Sequence, residues 1–228
     1  MERTERVIRA RAGPGRRMAE VAFVLLGAGY WLTLFTPGFD GDWALKASPM
    51  LVAATVLASG LPRRFGLPMA VGFAFSAVGD VFLALDRTEN LMQALSCFLV
   101  TQIAYAIAFS GRRPKLLDRL RYRLPVAAYG AALLALMLPG LGSYLVPVVV
   151  YVAALVAMCW MAASFEESIP GRVFYGAGLF LVADSLIGVD RFIGSIPLGE
   201  IVIVGCYTTA QFLIFTGMLR AFDQPSGA

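Results

Sequence analysis

Long apolar runs are what most constrain this chain. Eight stretches, at roughly 18–36, 44–61, 67–86, 91–110, 122–139, 143–164, 171–190 and 199–221, are dominated by Ala, Val, Leu, Ile and Phe without the 3.6-residue stripe of a soluble amphipathic helix. At about 1.5 Å per residue, each is long enough to cross a hydrocarbon core about 30 Å thick. Lipid offers the backbone no hydrogen-bond partners, so such segments must be helices; strands of a barrel would alternate over short segments instead. The sequence therefore predicts an all-α polytopic membrane protein, a bundle of eight transmembrane helices. With 59% hydrophobic and only 15% charged residues in 228, there is no room for a soluble domain beside it.

The cations orient the bundle. Cytoplasmic loops retain Lys and Arg, and with the N-terminus inside, every cation except Lys46, Arg87 and Arg191 falls on the inner side. An odd number of spans would put basic loops on both sides. Eight spans with both termini cytoplasmic is the expectation: a basic tail over 1–17, the membrane domain over 18–221 and a short tail over 222–228. The net charge of +4 then reflects topology and attraction to anionic membrane lipid, with no indication of nucleic acid. No cleavable signal is apparent, since the Arg-rich start leads into a full-length span. An Ala- and Arg-rich bias with short loops suggests a bacterial inner membrane. Residues 111–123, with Leu116, Leu117, Leu120 and Leu124 on one edge, read as a basic amphipathic turn on the inner leaflet.

Certain chemistries drop out early. The chain has no histidine, so the commonest metal ligand and general base is missing. Cys97, Cys159 and Cys206 all lie in apolar spans at spacings unlike a metal or disulfide framework, and read as packing residues. No metal or cofactor is implied.

Against this apolar background two carboxylates stand out. Asp80 and Asp184 lie in the third and seventh spans, each six residues before an Asp-Arg pair, Asp86-Arg87 and Asp190-Arg191. Six residues of helix put both about 9 Å into the membrane, in one layer. A carboxylate there costs at least ~2.5 kcal/mol, so it either lines a wet cavity or bridges helices. The following span of each half carries a Gln and a Tyr, Gln102 with Tyr105 and Gln211 with Tyr207; Ser76 lies one turn from Asp80, and Lys46 begins the second span. The pattern reads as two parallel four-helix repeats, and one cavity opening to the outer leaflet could gather these groups. Each also has a plainer reading: the amides as interhelical glue, Lys46 as a snorkelling cation, and the Asp-Arg pairs as solvated helix ends.

Two acids in one low-dielectric layer do not both ionise easily, which leaves one as a proton donor and the other as an anion. That division suits reactions through an oxocarbenium ion. It equally suits proton-coupled transport, and spacing does not separate the two. The spans hold few central prolines, and broken helices are what transport commonly uses, which tilts the reading toward an enzyme.

The runs Phe75-Ser76-Ala77-Val78-Gly79-Asp80-Val81-Phe82-Leu83, Ala183-Asp184-Ser185-Leu186 with Arg191-Phe192, and Tyr207-Thr208-Thr209-Ala210-Gln211, with the Lys46-to-Pro49 start of span two, resemble the YhhN-type lysoplasmalogenases. The resemblance covers nearly the whole spanning region and rests on the order and spacing of short motifs. It implies an eight-helix, cofactor-free hydrolase that cleaves the vinyl ether of a lysoplasmalogen to a fatty aldehyde and a glycerophospho-base, with Asp80 and Asp184 matching the catalytic acids. Lys46 would sit near the phosphate, and Ser76, Gln102, Tyr105, Asp190, Arg191, Tyr207 and Gln211 would line the polar part of the substrate site. In one departure, Gln102 stands where relatives often carry a His; it can hydrogen-bond a phosphate or water but cannot shuttle a proton near neutral pH.

Overall fold

The computed structural model describes residues 14–37, 39–111, 119–165 and 171–222, and these are helical throughout apart from short connections. The helices are α1 (Pro14–Thr33), α2 (Asp42–Gly60), α3 (Arg63–Leu85), α4 (Leu91–Ser110), α5 (Leu120–Leu141), α6 (Leu145–Ala162), α7 (Arg172–Phe192) and α8 (Gly199–Ala221), with a single 3-10 turn, Gly142–Tyr144, between α5 and α6. The amphipathic turn expected over 111–123 falls mostly on 112–118, outside the described residues, as do 1–13 of the N-terminal tail and 223–228 of the C-terminal one.

Six helical stretches among the described residues are long and apolar enough to cross a membrane, which makes this an integral membrane protein. One of them, Leu120–Ala162, runs for 43 residues. Straight, it would be about 65 Å long, twice the hydrocarbon thickness. It is not straight: α5 and α6 pack against each other, and the chain reverses at Gly142, whose φ of 49° and ψ of −122° suit a residue without a Cβ. The helix α1, whose first two turns carry Arg16, Arg17 and Glu20, is not among the six. It begins at Pro14, inside the stretch expected as a tail.

Packing follows small residues. Along the chain α1, α2, α3 and α4 pack in sequence, α7 pairs with α8, and α6 touches α4 while α8 touches α1 and α2, so the first and last helices close on one another. At Gly176 in α7 a Cβ would come within 2.9 Å of Ala210 O and Ile214 N, which shows how closely the α7 and α8 backbones approach. The main core joins Phe23, Phe65, Phe73, Phe109, Phe180 and Phe215 from both ends of the chain; a smaller one, with Leu133, Met137, Leu141, Val148 and Val152, lies under the α5–α6 turn. Large apolar side chains such as Leu25, Leu51, Leu67, Ile107, Leu136 and Val146 remain exposed on the outside, as lipid permits and water does not.

Pro49, Pro68, Pro125 and Pro139 sit within α-helices, the last three near helix ends. Pro49 has no N–H for the carbonyl of Leu45, and the Ser48 hydroxyl donates to that oxygen instead at 2.8 Å. The two Asp-Arg pairs that close α3 and α7 organise loops. Asp86 accepts hydrogen bonds from the N–H groups of Thr88 and Glu89, both 2.8 Å, which hold its carboxyl below the usual range. Asp190 Oδ1 accepts from Ile196 N–H at 2.8 Å, fixing the loop before α8, where Leu198 adopts a φ of 56° that is uncommon for a bulky residue.

Candidate functional site

Around each membrane aspartate the buried polar side chains form a hydrogen-bonded group. Both carboxyls come from helices whose other residues at this depth are apolar or small, and each is satisfied by side chains from other helices.

In the first group, Asp80 on α3 is 1% exposed and accepts a hydrogen bond from the Tyr207 hydroxyl of α8 at 2.8 Å. Gln211, one turn along α8, ties the group together: its Nε2 donates to Ser76 Oγ at 2.9 Å and to Tyr207 Oη at 3.3 Å, while its Oε1 accepts from the Tyr105 hydroxyl of α4 at 2.8 Å. Ser76 also shares a 3.2 Å bond with Thr101 Oγ1, and Thr101 reaches the carbonyl of Gly72 at 2.9 Å. Thus α3, α4 and α8 are bolted together by groups that would each be costly to bury alone.

In the second group, Asp184 on α7 takes hydrogen bonds from Tyr151 Oη of α6 at 2.5 Å and from Gln102 Nε2 of α4 at 3.3 Å. Both donors converge on Oδ2, and Oδ1 takes no hydrogen bond from the described residues. Beside Asp184 lies a cavity of about 30 Å³, lined mainly by apolar side chains, among them Leu95, Leu133, Met137, Val148 and Val152, with the exposed Arg191 also on its wall. That is room for a water-sized group. Gln102 is fully buried, and its Oε1 is a buried side-chain acceptor with no partner among the described residues.

The groups are neighbours. Phe98 of α4 and Phe180 of α7 each pack edge-on against Tyr207 of α8, at 5.8 and 5.7 Å. The charge of Asp80 reaches Asp184, while the charge that acts most strongly on Asp80 itself is that of Lys46. Lys46 is 8% exposed. Its ammonium lies 5.3 Å from the centre of the Tyr30 ring, a cation–π contact, and donates no hydrogen bond to the described residues. Asp42, Arg87 and Glu200 add further charge around it.

Of the residues singled out in the sequence, Ser76, Asp80, Tyr105, Tyr207 and Gln211 come together around one carboxyl, and Gln102 joins Asp184 at the other. Arg191 lines the Asp184 cavity, Lys46 stands near Asp80, and Asp190 is engaged by the loop backbone. Three participants went unnamed: Tyr151, Thr101 and Tyr30. The last is 5% exposed, and its ring faces the Lys46 ammonium. A phenol or hydroxyl inside an apolar run was the available signal, and it was weaker than a charge. No described group of three or more His, Cys, Asp or Glu could hold a metal ion.

Comparison with other proteins gives this arrangement its relatives. The chain is 31% identical over 200 residues to the lysoplasmalogenase TMEM86A of Bos taurus, covering 81% of this chain and 82% of that one. The human protein of the same name is 31% identical over 203 residues, with the same coverage, and a lysoplasmalogenase of Mycobacterium bovis is 30% identical over 202 residues, covering 86% of this chain and 74% of the other. No solved structure matches the chain. The profile of the YhhN family matches residues 41–218, a span that includes both aspartates and every partner named above except Tyr30, and the chain belongs to that family.

Proposed function

We propose that this protein is a membrane lysoplasmalogenase that cleaves the vinyl ether of its lipid by acid-assisted hydration, with Asp80 and Asp184 as the acting carboxyls. The observation that carries the reading is the pair of buried carboxyls in neighbouring polar groups, one with an unclaimed oxygen beside a cavity, in a chain whose similar proteins bear that name.

The chemistry assigns different tasks to the two acids. Asp184 lines the cavity with Oδ2 held by Tyr151 and Gln102, so its Oδ1 carries the proton to the terminal carbon of the vinyl ether. The C=C pair forms the new C–H bond, and positive charge spreads over the adjoining carbon and the ether oxygen. Asp80, fixed by Tyr207 and set near Lys46, remains an anion that stabilises this charge. Water adds to the charged carbon and gives its proton back to the Asp184 carboxylate, which restores the acid. The hemiacetal then collapses: its hydroxyl proton passes to the glycerol oxygen as the C–O bond to glycerol breaks, and an aldehyde and a glycerophospho-base leave.

Lys46, buried beneath Tyr30 with its ammonium donating no hydrogen bond, would receive the phosphate. Tyr105, Gln211 and Ser76 hold Tyr207 and so orient Asp80. Arg191 lines the wall on the Asp184 side, and Asp190 serves it by fixing the following loop. The alkenyl chain passes between helices into lipid. We take the chain to cross the membrane eight times with both ends cytoplasmic, as two parallel four-helix repeats, and to reside in a bacterial inner membrane. The hairpin within Leu120–Ala162 and the packing of α1 on α2 and α8 support the count.

Purified protein given a 1-alkenyl lysophospholipid tests the reading by aldehyde release. Steady turnover without added cofactor is expected; failure to release aldehyde under conditions where the protein is folded contradicts it.

A further inference from the structure

The unpartnered acceptor on Gln102 has no use in the scheme above. Its amide nitrogen is occupied by Asp184, and its Oε1 is buried without a donor. Buried side-chain acceptors are seldom left so, because an unmade hydrogen bond in low dielectric is costly. A group that supplies a donor at this point would relieve that cost on binding.

Resting on the proposed hydrolysis, we infer that Gln102 Oε1 accepts the hydroxyl on the glycerol carbon next to the vinyl ether, and thereby selects the lysolipid over lipids substituted there. The two atoms of the Gln102 amide are fixed relative to each other. With Nε2 held 3.3 Å from Asp184 Oδ2, the acceptor stands one amide width from the carboxyl that delivers the proton. In the substrate, the free hydroxyl is a few bonds from the carbon that is protonated. One amide therefore positions the acid and reads the neighbouring hydroxyl. The other polar groups nearby are already engaged: Tyr151 donates to Asp184, Tyr207 to Asp80 and Tyr105 to Gln211. Gln102 Oε1 is the buried side-chain oxygen left without a partner among the described residues. An acyl ester at that carbon has no O–H, so it leaves Oε1 unpaired. A site built around a substrate hydroxyl discriminates against the analogue lacking it more sharply than an apolar pocket does.

The test uses two substrates, the 1-alkenyl lysophospholipid and its analogue with hydrogen in place of the adjacent hydroxyl, and reads aldehyde release. Wild-type protein is expected to show a kcat/KM roughly ten- to a hundred-fold lower for the deoxy analogue. Gln102→Met, close in volume, loses the bond to Asp184 as well, so both substrates slow; the ratio between them isolates the hydroxyl contact and should fall to within about twofold. Tyr151→Phe, which weakens Asp184 without touching the acceptor, should slow both substrates and keep the wild-type ratio. Equal turnover of the two substrates by wild type overturns the inference, whatever Gln102→Met does, and so does a ratio that survives in Gln102→Met. Release of aldehyde from neither substrate overturns the proposed hydrolysis and this inference together, an outcome distinct from equal release from both.

Discussion

Asp80 and Asp184 look alike in the sequence, at one depth and the same six residues before an Asp-Arg pair, but their surroundings differ. Asp80 sits in a closed group of side chains from α4 and α8, almost without exposure, with a lysine as its main charged neighbour. Asp184 has two donors on one oxygen, none on the other, and a cavity alongside. Each takes a hydrogen bond from a helix distant along the chain, Asp80 from Tyr207 of α8 and Asp184 from Gln102 of α4, and Asp184 takes a second from Tyr151 of α6. Identical side chains thus have unequal surroundings, and the proposed division of tasks rests on that inequality, as it does for pairs of carboxyls in acid–base enzymes.

Replacing each acid by its amide presses hardest on that contrast. Asp184→Asn should lower kcat about 10⁴-fold, the upper range for removing a proton donor. Asp80→Asn should cost less, about 10²- to 10³-fold, as for loss of one electrostatic contact to the reacting centre. A reversed order in aldehyde assays breaks the assignment of roles. The phenols come next. Tyr151→Phe removes a hydrogen bond to a carboxyl and should lower kcat by roughly ten- to a hundred-fold, with Tyr207→Phe near the lower end because Lys46 still faces Asp80. Lys46→Met should raise KM about tenfold and also lower kcat, since it removes the charge that faces Asp80; the KM effect should vanish for a substrate without phosphate while the kcat effect remains.

The smallest effects concern the scaffold on the Asp184 side. Gly176→Ala forces a methyl against Ala210 O and Ile214 N, backbone atoms that cannot move aside, and should destabilise by about 1–3 kcal/mol in thermal unfolding. Gly188→Ala meets only the Met137 thioether end, 2.8 Å from the new Cβ, which can rotate away. It should stay within about 0.5 kcal/mol of wild type while narrowing the cavity at Asp184, so slowed turnover with unchanged stability is its expected signature.

The sequence made some of this legible and hid the rest for physical reasons. Apolar length alone announced membrane helices, because lipid removes every alternative to them. The acids and amides were visible as exceptions in apolar runs, where each polar group must have a cause. Tyr151 was not, since a phenol among valines looks like packing until its hydroxyl is seen to meet a carboxyl from another helix. Partner choice was equally hidden: nothing in the spacing says that Tyr207 turns to Asp80 or that Gln102 turns to Asp184, because those contacts depend on how α4 and α8 lie across the bundle. The Asp-Arg pairs mark the opposite case. Their regular spacing fits solvated helix ends as well as a site, and Asp86 and Asp190 each give Oδ1 to loop N–H groups. Ser48 repairs the carbonyl that Pro49 leaves open and lets α2 continue beside Lys46.

The central claim is that an exchangeable proton at position 184 drives the cleavage. It is tested most directly by comparing Asp184→Glu with Asp184→Asn in aldehyde release, on protein shown to be folded. The account predicts partial turnover with Glu, which keeps an acid at a shifted position, and none above background with Asn. Turnover by Asn at or above the Glu rate would contradict it.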